Sequence, residues 1–189
     1  MTSVQPGGSP DRNITLEAFA DTIVPGEKRS ADDRAVAGAA PGPGAVAAGA
    51  LELLETPATG LVDALDDYVL SLNGHATGHA ERYGLRLDTD VPPFVALSHE
   101  ERTALVAALV APGHPERELW VLLALFCNMA FDTGAHLHTA EAIAAGHPGL
   151  SAIGFSAPDP DGLWRFPAFS YNRPLARLHP DTAPSGSLA

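Results

Sequence analysis

Apolar residues return at helical spacing in a series of stretches along the chain, and no pair of segments alternates as neighbouring strands would. Leu16, Phe19, Ala20, Ile23 and Val24 mark the first stretch, with Thr15 placed to cap it and Pro25-Gly26 to stop it. Gly44 to Glu55 reads as a short helix of small side chains, closed by Thr56-Pro57. From Gly60 a longer helix begins: Leu61, Leu65, Tyr68, Val69 and Leu72 share one stripe, while Asp63, Asp66 and Asp67 face water. Gly74 and Gly78 weaken its second half and predict a bend or a break.

Ser98-His99-Glu100-Glu101 has the spacing of a capping box, with the Ser98 hydroxyl meeting the N–H of Glu101 and the Glu101 carboxylate reaching back. It opens a helix through Val110, and Pro115 suits the first position of the next. The run Leu119 to Phe126 is apolar on every face, which predicts a helix buried all round in the middle of a bundle and continuing to Ala130. Asp132-Thr133-Gly134 breaks that helix, and Thr133 is placed to cap a short one from Ala135 to Ala145, closed by Gly146 and Pro148. Past Gly149 the periodicity ends. Prolines and aromatics dominate there, among them Phe155, Trp164, Phe166, Phe169 and Tyr171. Such side chains in an irregular tail predict packing across the domain or across a partner.

The expected organisation is therefore a disordered arm over residues 1–13, a helical domain over 14–150 and an irregular tail over 151–189. The expected fold is all-α: roughly five or six helices in an irregular bundle around the Trp120–Ala130 helix.

Composition narrows the partners. The chain carries 11 basic and 23 acidic residues, a formal net charge of -12, and Lys28 is its single lysine. A surface this negative repels phosphate backbones and anionic lipid, so nucleic acid and membranes are excluded as expected partners. It suits docking against a basic patch on another protein. Cys127 is the single cysteine, so no intrachain disulfide forms, and its apolar neighbours predict a small buried hydrophobe. The opening residues lack the pattern of an export signal and no apolar run is long enough to span a bilayer, which places the expected site of action in the cytoplasm.

Candidate chemistry is sparse. Gly42-Pro43-Gly44-Ala45-Val46-Ala47 has the letters of a dinucleotide loop, but no strand precedes it to aim backbone N–H groups at a pyrophosphate. His75 and His79 stand four apart, a spacing that can hold a metal; without a further ligand they read as two exposed histidines. Asp132, His136 and His138 form the densest polar cluster, with Glu141 three beyond. Two histidines and a carboxylate suffice for a facial metal triad or for acid–base chemistry. They equally suit a capping aspartate with surface histidines. No nucleophile elbow and no Glu-x-x-His pair occurs.

Three segments carry a likeness to a known family. They are Leu16 to Gly26, ending in an Ile-Val-Pro-Gly stop; Pro43 to Gly49, a Pro-Gly-Ala opening to a second helix; and Phe94 and Leu97 through Arg102 to the apolar helix and Asp132. With these the chain resembles the gluconate 2-dehydrogenase subunit 3-like family, small accessory subunits of glucose-methanol-choline type flavoprotein oxidoreductases. It differs in lacking a twin-arginine leader and in having Gly134-Ala135-His136-Leu137-His138 after the apolar helix. The resemblance implies a non-catalytic accessory subunit, a divergent branch kept in the cytoplasm and possessing no cofactor of its own, with FAD held by the large partner. Under it the aromatic tail residues Trp164, Phe166, Phe169 and Tyr171, with Arg173, are the expected contacts to that partner. The alternatives are a small cofactor-free cyclase, isomerase or lyase using Asp132, His136 and His138, or a metal- or ligand-binding helical protein.

Overall fold

A computed structural model describes residues 9–155. Among them the chain forms eight α-helices and two short 3-10 turns, and no strand. The all-α expectation is met. The arm before Ser9 and the tail beyond Phe155, with Trp164, Phe166, Phe169, Tyr171 and Arg173, lie outside the described residues.

α1 spans Pro10–Ile23. Ser9 caps it, accepting from the Arg12 N–H at 3.2 Å, and Pro10 takes the first helical position. The cap is thus earlier than the expected Thr15, and residues 10–13 are the first turn rather than arm. Thr15 is buried inside the helix, where its hydroxyl donates to the Asp11 carbonyl at 2.7 Å. A β-branched hydroxyl can satisfy itself in this way within a helix, so it does not require a helix end.

The long segment from Pro25 to Gly49 has little regular structure, yet buried charges fix it. The Asp21 carboxylate, 1% exposed, accepts from the N–H groups of Gly26 at 3.2 Å and Ala37 at 2.8 Å. Asp33 accepts from the N–H groups of Ala35 and Val36 and from the Arg29 guanidinium. Arg102, 4% exposed on a later helix, donates to the carbonyls of Arg34, Ala35, Phe94, Val95 and Leu97. Backbone that cannot reach a helix or sheet partner is satisfied by these three side chains instead.

α2 (Ala50–Leu54) is shorter than expected. Residues 45–49 form turns that end on Gly49 at φ +87°, a left-handed dihedral that cannot continue a helix. The 3-10 turns Pro57–Thr59 and Val62–Ala64 lead into α3 (Leu65–Tyr83), which runs unbroken through Gly74 and Gly78. Its buried stripe of Leu65, Tyr68, Leu72, Ala76 and Ala80 continues past both glycines, and packing along that stripe outweighs their propensity cost.

α4 (Pro93–Ala96) is one turn that delivers Phe94 to the core. α5 (His99–Leu109) starts at the expected Ser98 cap, whose hydroxyl accepts from the Glu101 N–H at 3.3 Å. The other half of the expected capping box is replaced: the Glu101 carboxylate turns to His79 on α3. α6 (Arg117–Asp132) begins two residues after Pro115. α7 (Thr139–Ala144) is capped at His138 rather than Thr133, whose hydroxyl bonds back to the Met129 carbonyl at 2.7 Å. α8 (Pro148–Ala152) closes the described chain.

The core forms where α1, α3, α4 and α6 meet. Phe19 lies 6.3 Å from Phe94 and 6.2 Å from Trp120, and Tyr68 sits edge-on to Trp120 at 5.8 Å, measured between ring centres. Leucines of α2 and α5 complete it.

α6 departs from expectation in a way that matters for function. It packs against α1, α2, α5 and α8 through Trp120, Leu123, Cys127 and Ala130, a single stripe at helical spacing. Cys127 is fully buried there, and burial pushes its thiol up to about 12, as expected of a packed hydrophobe. The rest of the helix is not buried. Leu119 and Leu125 are each 50% exposed, and Val121 and Leu122 each 37%. The helix reads as apolar on every face, but among the described residues only one face is packed.

Candidate functional site

Three places in the fold gather the features that can carry function. The first is a groove of about 590 Å³ between α3 and α5. Gly74 and Gly78 form its floor, since a Cβ at either would meet nothing within 4 Å. Ala104, Leu105 and Ala108 line the α5 side. Two histidine–carboxylate pairs edge it. His75 Nε2 is 2.7 Å from Glu116 Oε2, and His79 Nε2 is 2.6 Å from Glu101 Oε2. An ionised carboxylate only accepts, so each imidazole donates its Nε2–H. Glu116 also accepts from the Trp120 indole N–H at 3.0 Å. The bond from His75, and then that from Trp120, hold the Glu116 carboxyl below its usual value against the opposing effect of burial. His114 stands edge-on to His75 at 5.9 Å, and Tyr83 tilts over His79 at 4.7 Å. The expectation of two exposed histidines is therefore corrected: side-chain exposure is 30% at His75 and 10% at His79, and both are paired.

The second place holds the residues singled out in the sequence. Asp132 ends α6, and its Oδ2 accepts from Asn128 Nδ2 at 2.7 Å. His136 lies in the turn after α6, its ring over Gly49 and 5.8 Å from the ring of His147. Burial lowers the imidazole's proton affinity; the Glu52 carboxylate opposes that shift and His147 adds to it. His138 is exposed at the start of α7. The structure therefore brings His136 to His147, not to His138. Asp132 Oδ1 and His136 Nδ1 are buried without a hydrogen-bond partner among the described residues.

His147 was not legible as a site residue. It is 5% exposed, donates from Nε2 to the Ala48 carbonyl at 2.9 Å and accepts the Leu150 N–H at Nδ1. A histidine just before Pro148 at a helix start was the available signal, because a ring nitrogen can cap as a carboxylate does.

The third place is the outer half of α6. Leu119, Val121, Leu122 and Leu125 face solvent, with Phe126 and Met129 half-buried beside them. Glu118 and Asp132 stand at its two ends. An apolar surface of this kind, rimmed by charge, is the usual signature of a protein contact.

Among the described residues no group of three histidine, cysteine, aspartate or glutamate side chains could hold a metal ion, and no helix is long and apolar enough to cross a membrane.

Residues 10–189 match the model of a family of unknown function, DUF5987. The chain belongs to that family. No curated protein and no solved structure matches it.

Proposed function

We propose that this chain is a non-catalytic accessory subunit that binds and stabilises a larger flavin-dependent oxidoreductase through the outer half of α6. The observation that carries the reading is the row Leu119, Val121, Leu122 and Leu125, left to solvent on a helix whose opposite stripe is fully packed. Exposed leucines on a rigid, well-anchored helix need no ordering on binding, so their burial goes largely into affinity. The net charge of -12 and the acidic ends of the patch call for an apolar cleft edged by lysine or arginine on the partner.

The flavoprotein identity of the partner follows from the three segments of the resemblance, and the structure gives those segments a physical role. Val24 accepts from the Ala45 N–H at 2.9 Å and Gly42 accepts from the Glu27 N–H at 2.8 Å, so the Pro25-Gly26 stop and the Pro43-Gly44 opening lie against each other. Arg102 of the third segment ties the loop between them to α4 and α5. The shared residues thus build the scaffold that holds α6 in place. FAD and the redox chemistry belong to the partner, of glucose-methanol-choline type, and Trp164, Phe166, Phe169, Tyr171 and Arg173 supply further contacts to it. The complex acts in the cytoplasm, in secondary metabolism.

The test is gentle purification of the tagged chain from its native host, with a visible spectrum and mass spectrometry of the eluate. A yellow eluate with a large flavoprotein in near-equal amount supports the reading. A colourless chain recovered alone overturns it.

A second reading, a small acid–base enzyme, draws on the unpartnered Nδ1 of His136 and Oδ1 of Asp132. It requires that a candidate substrate turn over with the chain alone and that His136→Ala abolish turnover while the helical spectrum is kept.

A further inference from the structure

No residue of α6 lines the groove between α3 and α5, so its chemistry is separate from docking through α6. One end of the groove carries opposite charges. Arg82 lies one turn beyond His79 on α3, and Glu101 of α5 accepts the His79 Nε2–H at its Oε2. Among the described residues neither an ion pair nor a hydrogen bond holds the Arg82 guanidinium. The Glu101 carboxylate keeps its second oxygen for another donor. Tyr83, whose ring tilts over His79 at 4.7 Å, brings a hydroxyl to the same end. The lining beyond is apolar: bare helix at Gly74 and Gly78, faced by Ala104, Leu105 and Ala108. The rings of His75 and His114, edge-on at 5.9 Å, close the far end. A ligand that uses all of this carries an anion and a cation on one head and a flat apolar body behind it.

We propose that this groove binds a free aromatic α-amino acid, its carboxylate on the Arg82 guanidinium, its ammonium on Glu101 and its ring on the glycine floor. Both charges of the zwitterion find a fixed counter-charge, which neither a simple amine nor a simple acid can do. Gly78 stands one helical turn before Arg82, about 6 Å along the axis, which is within the length of one phenylalanine. Without a Cβ at Gly78 the ring can lie directly on the helix backbone.

The test titrates the full chain, at neutral pH and near-physiological salt, with L-phenylalanine, 3-phenylpropanoate and 2-phenylethylamine, followed by calorimetry and backbone amide NMR. Phenylalanine should bind saturably at one per chain, with shifts centred on Gly74, Gly78, Ala104 and Ala108. The acid lacking the ammonium and the amine lacking the carboxylate should each bind at least about tenfold more weakly, since each forfeits one charge-assisted contact. Arg82→Gln should weaken phenylalanine about as much and leave the weaker amine unchanged; Glu101→Gln should do the same for the acid. Gly78→Leu fills the floor and raises helix propensity, so it should fold at least as well as the parent and still lose binding. No saturable binding of phenylalanine, an amine or acid that binds as tightly as the zwitterion, or undiminished binding to Arg82→Gln or Gly78→Leu would each overturn the proposal.

Discussion

Gly26 and Gly44 face each other backbone to backbone: a Cβ added to Gly44 would lie 2.6 Å from the Gly26 nitrogen. Neither glycine has a positive φ. The requirement is room, since the end of α1 and the start of the turn before α2 share one space. Gly26 closes the Pro-Gly stop of the first helix and Gly44 lies in the Pro-Gly-Ala opening read as the start of the second, so the boundary residues double as a contact surface.

Alanine at Gly26 or Gly44 should therefore destabilise the fold by about 1–3 kcal/mol, the range for overpacking a site that cannot give. Gly74→Ala is the matched control. Its Cβ would meet nothing within 4 Å, so it should stabilise by about 0.5–1 kcal/mol through helix propensity alone. Urea midpoints for the three variants decide the matter. A similar sign at all three positions would contradict the steric account.

Arg102 should be the least replaceable charged residue among those described. It is buried, and it serves five carbonyls from two segments of chain. Arg102→Met keeps much of the volume and removes every donor. It should cost at least about 3 kcal/mol, because several buried acceptors are left unpaired. Arg102→Lys should recover only part of that loss, since an ammonium lacks the planar fork. Equilibrium unfolding of both variants measures it; a loss under about 1 kcal/mol in Arg102→Met would remove the clamp from the account.

Asp33 gives a pH signature. Burial raises its carboxyl, but the Arg29 hydrogen bond and the Val36 N–H outweigh that and hold it at about 2, against an ordinary 3.8. A depressed folded value means stability that is fully present above the unfolded value and is lost as pH falls through the folded one. The contribution should thus fade between about pH 4 and pH 2, and amount to about 1–2 kcal/mol once the half-exposed Arg29 is allowed for. Asp33→Asn should flatten that part of the stability profile, as followed by denaturant midpoints across acid pH. An unchanged slope in the variant would show that other carboxylates carry it.

Much of the fold was legible along the chain, and the reasons for the rest are specific. The stripe Leu65, Tyr68, Leu72 and the Ser98 cap are local signals, and both appear where the spacing put them. α6 was found as a helix, but its exposure was not. When every position is apolar, periodicity holds no information about which side has neighbours. Arg102 looked like any arginine on an amphipathic helix, because its carbonyl partners at Arg34 and Ala35 are 68 and 67 residues away. The His75–Glu116 and His79–Glu101 pairs join residues 41 and 22 apart, which no spacing rule reaches. The Asp132, His136 and His138 cluster was dense in sequence, yet the turn after α6 sends His138 to the surface and His136 to His147, which lies on another short helix start.

The most direct test of the central claim compares the tagged parent chain with Leu122→Asp/Leu125→Asp, both purified gently from the native host. The substituted positions are solvent-facing, so the variant should keep its helical circular dichroism and its unfolding midpoint. The account predicts that the parent carries a flavin-containing partner in near-equal amount and that the variant loses it, since two buried carboxylates in an apolar interface leave charge unpaired. A folded variant that retains the flavoprotein undiminished would contradict the assignment of α6 as the docking face.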